Sequence, residues 1–572
     1  MFERIISISQ NKAVIKINGV DDNLINLYLV IESTKRIVAQ VESISGDEII
    51  VNFLGEIIND SFQSGISLKP NMNSKIRKIS REEFLLITNE QTERTILLGS
   101  SPIYNNFPIY ADTNDLFSNH LSILGNTGSG KSCGVARILQ NVFISQTPQK
   151  SCFFIFDAYG EYHNAFKEIN KINPNYEFKY YTTELSDKRN TLKIPVYLLT
   201  VDDIALLLNA TNHTQLMIIE KMMKLARIFS KGDVAIKNHL IANAIMAILY
   251  SNQNCQAKRD EVFSLLATCS TEQFQLESNI QGIGYTRTLK ECFAIDSQGQ
   301  FPESNILTMY INSFIRDDLD LLEVNENVFY NLPDLKKALD FTMISEGLFR
   351  NNDIYSDAII LKVRLHSLSI SKSATFFDYP DLVDAQDYIT SLVFKESKRC
   401  QIINFNLEDI DDHLAKTIVK IMSRMLFDFE KKLPNRATIP FHLFLEEAHR
   451  YVQEDGDKFL LGYNIFERIA KEGRKYGLII NLISQRPSEI SDTVISQISN
   501  FVIFKITHPA DCEYINKMLP NISEQIVEAQ KNLKSGTCIA FGKAFKIPMI
   551  IKMELPNPLP SSSNSDVYAN WK

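Results

Sequence analysis

The chain has 572 residues, 45% hydrophobic and 22% charged, which excludes a largely disordered or fibrous protein and supplies enough chain for a sizeable buried core. With 60 Lys plus Arg against 68 Asp plus Glu, the net charge of −8 excludes a surface that coats nucleic acid everywhere; such contact must be confined to a local basic patch. No stretch reaches the roughly 18 apolar residues of a membrane span, and MFERIISISQNKAVIKI lacks the layout of a signal peptide. The eight cysteines are scattered with no CxxC pair, so neither a zinc site nor a disulfide framework is expected, and a reducing cytoplasm is the simplest compartment.

Residues 1–100 read as β. AVIKI, LYLVIES, RIVAQVESI and EIIVNFLGEI alternate or run apolar and are punctuated by Asn18-Gly19 and Ser45-Gly46-Asp47, a spacing that predicts a small β-barrel. From 101 the texture changes. LSIL (121–124), CFFIF (152–156), QIINF (401–405), FHLFL (441–445), LIINLI (478–483) and FVIFKI (501–506) are short apolar strands set between helical patterns, which predicts an α/β unit with a parallel sheet covered on both faces. Its two parts span 101–200 and 396–555. Between them, 201–395 has helical periodicity and reads as an insertion, opened by a Thr200 N-cap with acidic residues in the first turn. The Pro/Ser-rich end, 556–572, reads as an extended tail.

The strongest chemical signal is Gly125-Asn126-Thr127-Gly128-Ser129-Gly130-Lys131-Ser132, a full GxxxxGK[ST] that follows the strand LSIL and opens a helical run. Its glycines let backbone N–H groups wrap phosphates, aided by the helix N-terminus. Lys131 is placed for the β and γ phosphates of ATP and Ser132 for Mg²⁺. A second signal is FHLFLEEAH, where an apolar strand ends in Glu446-Glu447. Carboxylates at the C-terminal end of a parallel strand project into the ligand crevice; Glu446 suits the Mg²⁺ shell and Glu447 the polarisation of an attacking water. Asp157 ends another strand and reads as a site carboxylate or a turn carboxylate. Gln485, at the tip of LIINLIS, reads as a γ-phosphate sensor or a helix cap, with Arg486 beside it. His449 and Cys133 read as packing or hydrogen-bonding groups. Lys188, Arg189, Lys193 and Lys458 are the local basic candidates for contact with nucleic-acid phosphates, each more readily a solvated surface charge.

Taken together, the P-loop GNTGSGKS, FDAYGEY, LFLEEAH, the EGRKYG turn and ISQRPSEI resemble the HerA branch of the HerA/FtsK superfamily of ring-forming ATPases. The resemblance covers about 100–200 and 400–555, and the N-terminal segment only by position and texture. It implies a RecA-like P-loop NTPase core, a homo-hexamer with ATP and Mg²⁺ between subunits, and helicase-type movement on double-stranded DNA through a central channel. It also implies a partner: a NurA-like nuclease in DNA end processing, or a sirtuin-like or nuclease effector in antiphage defence. Many P-loop NTPases have Asp where Glu446 stands, which weakens its metal assignment relative to the role of Glu447. In ring ATPases of this kind the region of Arg474, at the helix–strand junction FERIAKEGRKYG, faces the neighbour's nucleotide, so Arg474 is the expected trans-acting finger and Arg486 its rival. An ATP-dependent scaffold ring that activates a partner enzyme is the competing reading; a P-loop kinase or metabolic NTPase fits the long insertion poorly.

Overall fold

The computed structural model describes residues 2–19, 24–104, 106–146, 148–316, 318, 328–346, 352–454, 456–518, 524–561 and 571. The chain opens with strands β1 (Phe2–Ile8), β2 (Lys12–Ile17), β3 (Tyr28–Glu32), β4 (Arg36–Ser45), β5 (Glu48–Ile58), β6 (Ser61–Ser64) and β7 (Lys75–Lys78). They form one antiparallel sheet in the order β1-β2-β5-β4-β3-β7, with β6 on β5. Period-two alternation puts Ile15, Ile17, Leu29, Ile31, Val51 and their neighbours into a core of their own. No β1–β7 ladder closes the sheet among the described residues, so the barrel expected from the sequence is here a curled open sheet. Shifts of register between Val38 and Ala39 and between Val41 and Ser43 supply the curl.

A short helix, Arg81–Ile87, follows a Ser80–Glu83 capping box and leads into the second sheet. There the sequence contributes β8 (Thr95–Ser101), β9 (Phe107–Asp112), β10 (Leu121–Leu124), β11 (Cys152–Asp157) and β12 (Phe178–Thr182). Two small hairpins come next, β13 (Asn279–Gln281) with β14 (Thr286–Thr288) and β15 (Phe394–Lys395) with β16 (Lys398–Arg399). The sheet is completed by β17 (Ile402–Asn406), β18 (Phe441–Glu446), β19 (Leu478–Ser484), β20 (Asn500–Ile503), β21 (Thr537–Gly542) and β22 (Met549–Met553). Its order is β12-β17-β11-β18-β19-β10-β20-β21-β22-β8-β9. The strands from β12 to β20 are parallel. Those from β20 to β9 are antiparallel, an extension that the apolar runs alone did not announce.

Both faces of this sheet are covered. Along β11, Phe153 and Ile155 pack with the helix Lys131–Ser145 through Val135, Ile138 and Leu139, whereas Phe154 and Phe156 join the core beneath the helical region. That region contains the helices Val201–Leu207, His213–Lys231, Val234–Leu249, Cys255–Thr268, Leu332–Ser345 and Asn352–Ile370. Thr200 caps the first of them in a capping box with Asp203, as its sequence predicts. The described part of the C-terminal tail is not free. Glu554 pairs with Arg137, Asn557 and Pro558 hydrogen-bond the Gln140 side chain, and Asn164 donates to the Leu559 carbonyl. Residues 562–570 and 572 of that predicted tail lie outside the described residues. Among the described residues no helix is long and apolar enough to cross a membrane.

Candidate functional site

The C-terminal ends of β11, β18, β19 and β10 lie side by side, so the residues that follow them converge on one crevice. After β10 the chain turns sharply. Gly125 N–H donates to the Ser484 carbonyl at 3.1 Å, and Asn126 N–H to that of Lys505 at 2.9 Å. Gly130 adopts φ +98°, open to glycine without strain, and a Cβ there would lie 2.8 Å from the Gly536 nitrogen. The 535–536 loop braces the turn: Ser535 donates to the Gly128 carbonyl at 2.9 Å and Gly536 N–H to that of Ser129 at 2.9 Å. The helix Lys131–Ser145 starts immediately, with Gly130 at its N-cap and no side chain competing for its first N–H groups.

Lys131 and Glu447 meet here. The Lys131 Nζ donates to Glu447 Oε1 at 3.3 Å, with both side chains more than nine-tenths buried. Glu447 stands in the left-handed region (φ +50°, ψ +47°), a conformation that costs a non-glycine residue about 1 kcal/mol or more and that recurs at functional sites. The kink ends β18 and swings the carboxylate across β19 toward the P-loop. Its second oxygen, Oε2, is buried without a hydrogen bond, 3.3 Å from His449 Nδ1. That His449 nitrogen also lies 3.1 Å from the Ser484 hydroxyl, and burial lowers the imidazole pKa. His449, read from sequence as a packing or hydrogen-bonding group, makes such a contact with Ser484 and also borders the carboxylate. From β19, Gln485 accepts a hydrogen bond from the P-loop Thr127 hydroxyl at 2.7 Å, which joins the two segments that the sequence paired only by analogy.

The acidic cluster beside Lys131 is larger than the sequence reading. Asp157 is fully buried; its oxygens accept the backbone N–H groups of Glu161 and Tyr162 at 2.9 Å each and the Asn404 amide at 3.1 Å. Its geometry is that of a turn carboxylate, the second of its two sequence readings. The turn it shapes presents Glu161 beside the Ser132 hydroxyl. Glu446 belongs to the same cluster: its Oε2 accepts the Ala158 N–H at 3.1 Å, and its carboxyl lies against that of Asp157. Burial first, and then Asp157 and Glu161, push the Glu446 carboxyl well above the usual range. Glu161 and Tyr162 escaped the sequence reading because FDAYGEY offered one obvious strand-end acid, and only the turn reveals which later residue returns to the P-loop.

The remaining candidates lie apart. Arg486 is exposed and pairs with Glu489 at 2.9 Å. Arg474 sits just before β19, at the N-terminal end of the parallel strands and so at the end of the sheet opposite the P-loop, where it donates to Asn119 Oδ1 at 3.0 Å. His120 staples this junction. Its Nδ1 accepts the Ile480 N–H at 3.0 Å and its Nε2 donates to the Ala470 carbonyl at 2.9 Å, while burial holds its pKa down to about 4. Arg474 lines a cleft of about 800 Å³ together with Arg94, Asp112 and His442. Lys188 and Arg189 are exposed in the loop after β12, Lys193 is half-buried, and Lys458 pairs with Glu467 at 3.4 Å.

The crevice has the donors that a Mg²⁺–nucleotide requires. A buried ammonium, a helix N-terminus, the Ser132 hydroxyl and a Glu447 oxygen that carries no hydrogen bond gather at this end of the sheet. Among the described residues no three His, Cys, Asp or Glu side chains form a closed metal cage.

Comparison with known proteins places these observations in a family context. Residues 96–279 match the family model described as the central domain of the helicase HerA. The chain is 25% identical over 280 residues to the DNA double-strand break repair helicase HerA of Saccharolobus solfataricus, covering 45% of this chain and 55% of that protein. The proteins of the same name from Sulfurisphaera tokodaii and Sulfolobus acidocaldarius are 28% identical over 208 residues and 27% over 293 residues, covering 36% and 47% of this chain and 41% and 58% of theirs. The chain thus spans about half the length of the curated relatives it matches. Among solved structures, VirB4 of Thermoanaerobacter pseudethanolicus aligns at TM-score 0.46 and 13% identity over 82% of this chain and 97% of that one. The plasmid coupling protein TrwB in complex with ADP and Mg²⁺ aligns at TM-score 0.44 and 11% identity over 85% and 96%. The family model and the curated helicases bear out what the motifs carried: the chain is similar to the HerA branch of P-loop ATPases.

Proposed function

We propose that the protein is an ATP-driven, ring-forming motor that moves on double-stranded DNA. The observation that carries this reading is the convergence, at one end of a parallel sheet, of a P-loop lysine with a strand-end glutamate 3.3 Å away and a glutamine hydrogen-bonded to the P-loop itself. In this reading the P-loop backbone and Lys131 hold the β and γ phosphates of ATP. Glu447 accepts the proton of the attacking water through Oε2, which carries no hydrogen bond and lies 3.3 Å from His449 Nδ1. Gln485, tied to Thr127, senses the γ phosphate and reports its loss along β19. Ser132 would hold the Mg²⁺, which would supply neutralisation of charge on the phosphate oxygens.

The relatives' names as DNA repair helicases support DNA as the track. The position of Arg474, exposed and at the end of the strands opposite its own P-loop, supports a role toward a neighbouring subunit's nucleotide and not toward its own. The proposed assembly is a homo-hexamer, as the resemblance implies, with the N-terminal sheet at one end of the ring as the docking surface for a nuclease or other effector. The discriminating experiment is displacement of a third strand from a DNA triplex by the purified protein. Displacement that needs ATP and a duplex arm supports the motor. Absence of displacement, with ATPase stimulated instead by a partner protein, would favour the scaffold ring.

A further inference from the structure

We propose that Glu161 is the carboxylate that orients Ser132 toward the divalent cation, and that the C-terminal segment Glu554–Ser561 holds Glu161 in place. The inference deepens the proposed function and rests on it. A P-loop serine binds a cation through its hydroxyl oxygen, so its proton needs an acceptor on the other side; that acceptor fixes the lone pair aimed at the metal. The expected acceptor, by position at the end of β18, is Glu446. Its Oε2 is instead taken up by the Ala158 N–H, and the carboxyl is more than nine-tenths buried in company with Asp157. Glu161 is the acid found beside the Ser132 hydroxyl. Its Oε2 is buried without a hydrogen bond among the described residues, and the neighbouring Tyr162 hydroxyl also lies beside Ser132, so that of the two only Glu161 brings a carboxylate to the serine.

Two restraints set where Glu161 stands. From the inside, Asp157 Oδ1 accepts its backbone N–H at 2.9 Å. From the outside, Ser561 N–H donates to its carbonyl at 2.7 Å. The segment that carries Ser561 is itself pinned on the P-loop helix through Glu554–Arg137 and Asn557–Gln140, with Pro556 and Pro560 buried. The tail and the P-loop helix thus clamp the acidic turn from one side, which makes Glu161 a positioning residue whose placement depends on a distant part of the chain.

The test measures metal requirement apart from turnover. The full-length protein is titrated with a fluorescent ADP analogue in excess EDTA and across a Mg²⁺ series, and the Mn²⁺–ADP complex is recorded by electron paramagnetic resonance. Glu161→Gln is expected to raise the Mg²⁺ concentration needed for tight binding by about 10- to 100-fold, to alter the Mn²⁺ signal, and to leave affinity in EDTA unchanged. Ser561→Pro, which deletes the outer N–H donor, is expected to shift the requirement in the same direction by less. Should Glu161→Gln not fold, Glu161→Asp is read in its place. An unchanged Mg²⁺ requirement in the Glu161 variants, or a loss of affinity equal in EDTA and Mg²⁺, overturns the assignment; an unchanged requirement in Ser561→Pro overturns the clamp. If the wild-type protein binds no nucleotide in any condition, the proposed function falls and this inference with it.

Discussion

Replacing Glu447 with Gln separates two consequences of one buried ion pair. At 3.3 Å the Lys131–Glu447 attraction is roughly 5 kcal/mol gross at an effective dielectric near 20, before desolvation is subtracted. Removing one partner of such a pair outright costs about 3–5 kcal/mol. The amide keeps an oxygen for the ammonium, so the loss falls to roughly 1–3 kcal/mol, the worth of a hydrogen bond to a charged group. The nucleotide-free variant is therefore destabilised. Bound ATP returns a negative partner to Lys131 and no longer competes with Glu447, so affinity rises by about tenfold or more, each tenfold corresponding to about 1.4 kcal/mol. Hydrolysis falls by about 10²- to 10⁴-fold, because an amide cannot take the proton of the attacking water. Urea denaturation with and without nucleotide, titration with a fluorescent ATP analogue and phosphate release read the three effects. Weaker ATP binding by Glu447→Gln, or turnover at the wild-type rate, would refute the reasoning.

Other consequences follow from the packing and from the ring. Glu430, at the end of the helix Asp412–Lys432, has both carboxylate oxygens buried without a hydrogen bond, and burial lifts its pKa to about 8. Because the folded value lies above the unfolded one, its contribution to stability is complete below about pH 4.5 and is lost as pH rises through about 8. Glu430→Gln should flatten that decline by an amount on the order of a few kcal/mol, and a pH–stability profile identical to wild type would contradict it. A Cβ on Gly134 would sit 2.4 Å from the Phe504 ring, which is fully buried. Gly134→Ala should therefore destabilise by about 1–3 kcal/mol through overpacking despite the better helix propensity of alanine; a rise in melting temperature would count against the packing described. Arg474→Ala and Lys131→Ala should each be inactive, yet mixing them under subunit exchange should restore some ATPase, since one interface in the mixed ring would combine both intact residues. Nearly normal activity of Arg474→Ala alone would exclude the finger, whose class contributes on the order of 10³–10⁵ in rate.

Much of the fold could be read from local pattern. LSIL, CFFIF, QIINF, FHLFL, LIINLI and FVIFKI all became strands of one sheet because runs apolar on both faces can be satisfied only between two covering layers. The antiparallel β20-to-β9 portion was less visible: β8 and β9 precede the P-loop, while β22, the strand that joins β8 to the sheet, lies beyond residue 548, and pairing over such a separation leaves no local mark. The N-terminal strands showed their alternation plainly, but closure into a barrel depends on how two edges meet, which alternation does not encode. At the site, the P-loop was legible because its chemistry is contained in eight consecutive residues. The roles around it were not. Asp157 and Glu161 occupy one turn, and hydrogen bonds decide which shapes it and which faces Ser132. The left-handed backbone at Glu447 and the contact of His449 with its carboxylate likewise arise only from three-dimensional placement.

The central claim is that nucleotide turnover in this crevice is coupled to duplex DNA. The most direct measurement is the steady-state ATPase rate of the purified full-length protein with and without linear double-stranded DNA across a salt series, with Lys131→Ala as the control. The account predicts turnover that depends on Lys131, rises on addition of duplex DNA, and loses that rise as salt increases, because phosphate contacts release counterions. Lys131-dependent turnover that is the same with and without duplex DNA at every salt concentration would contradict it.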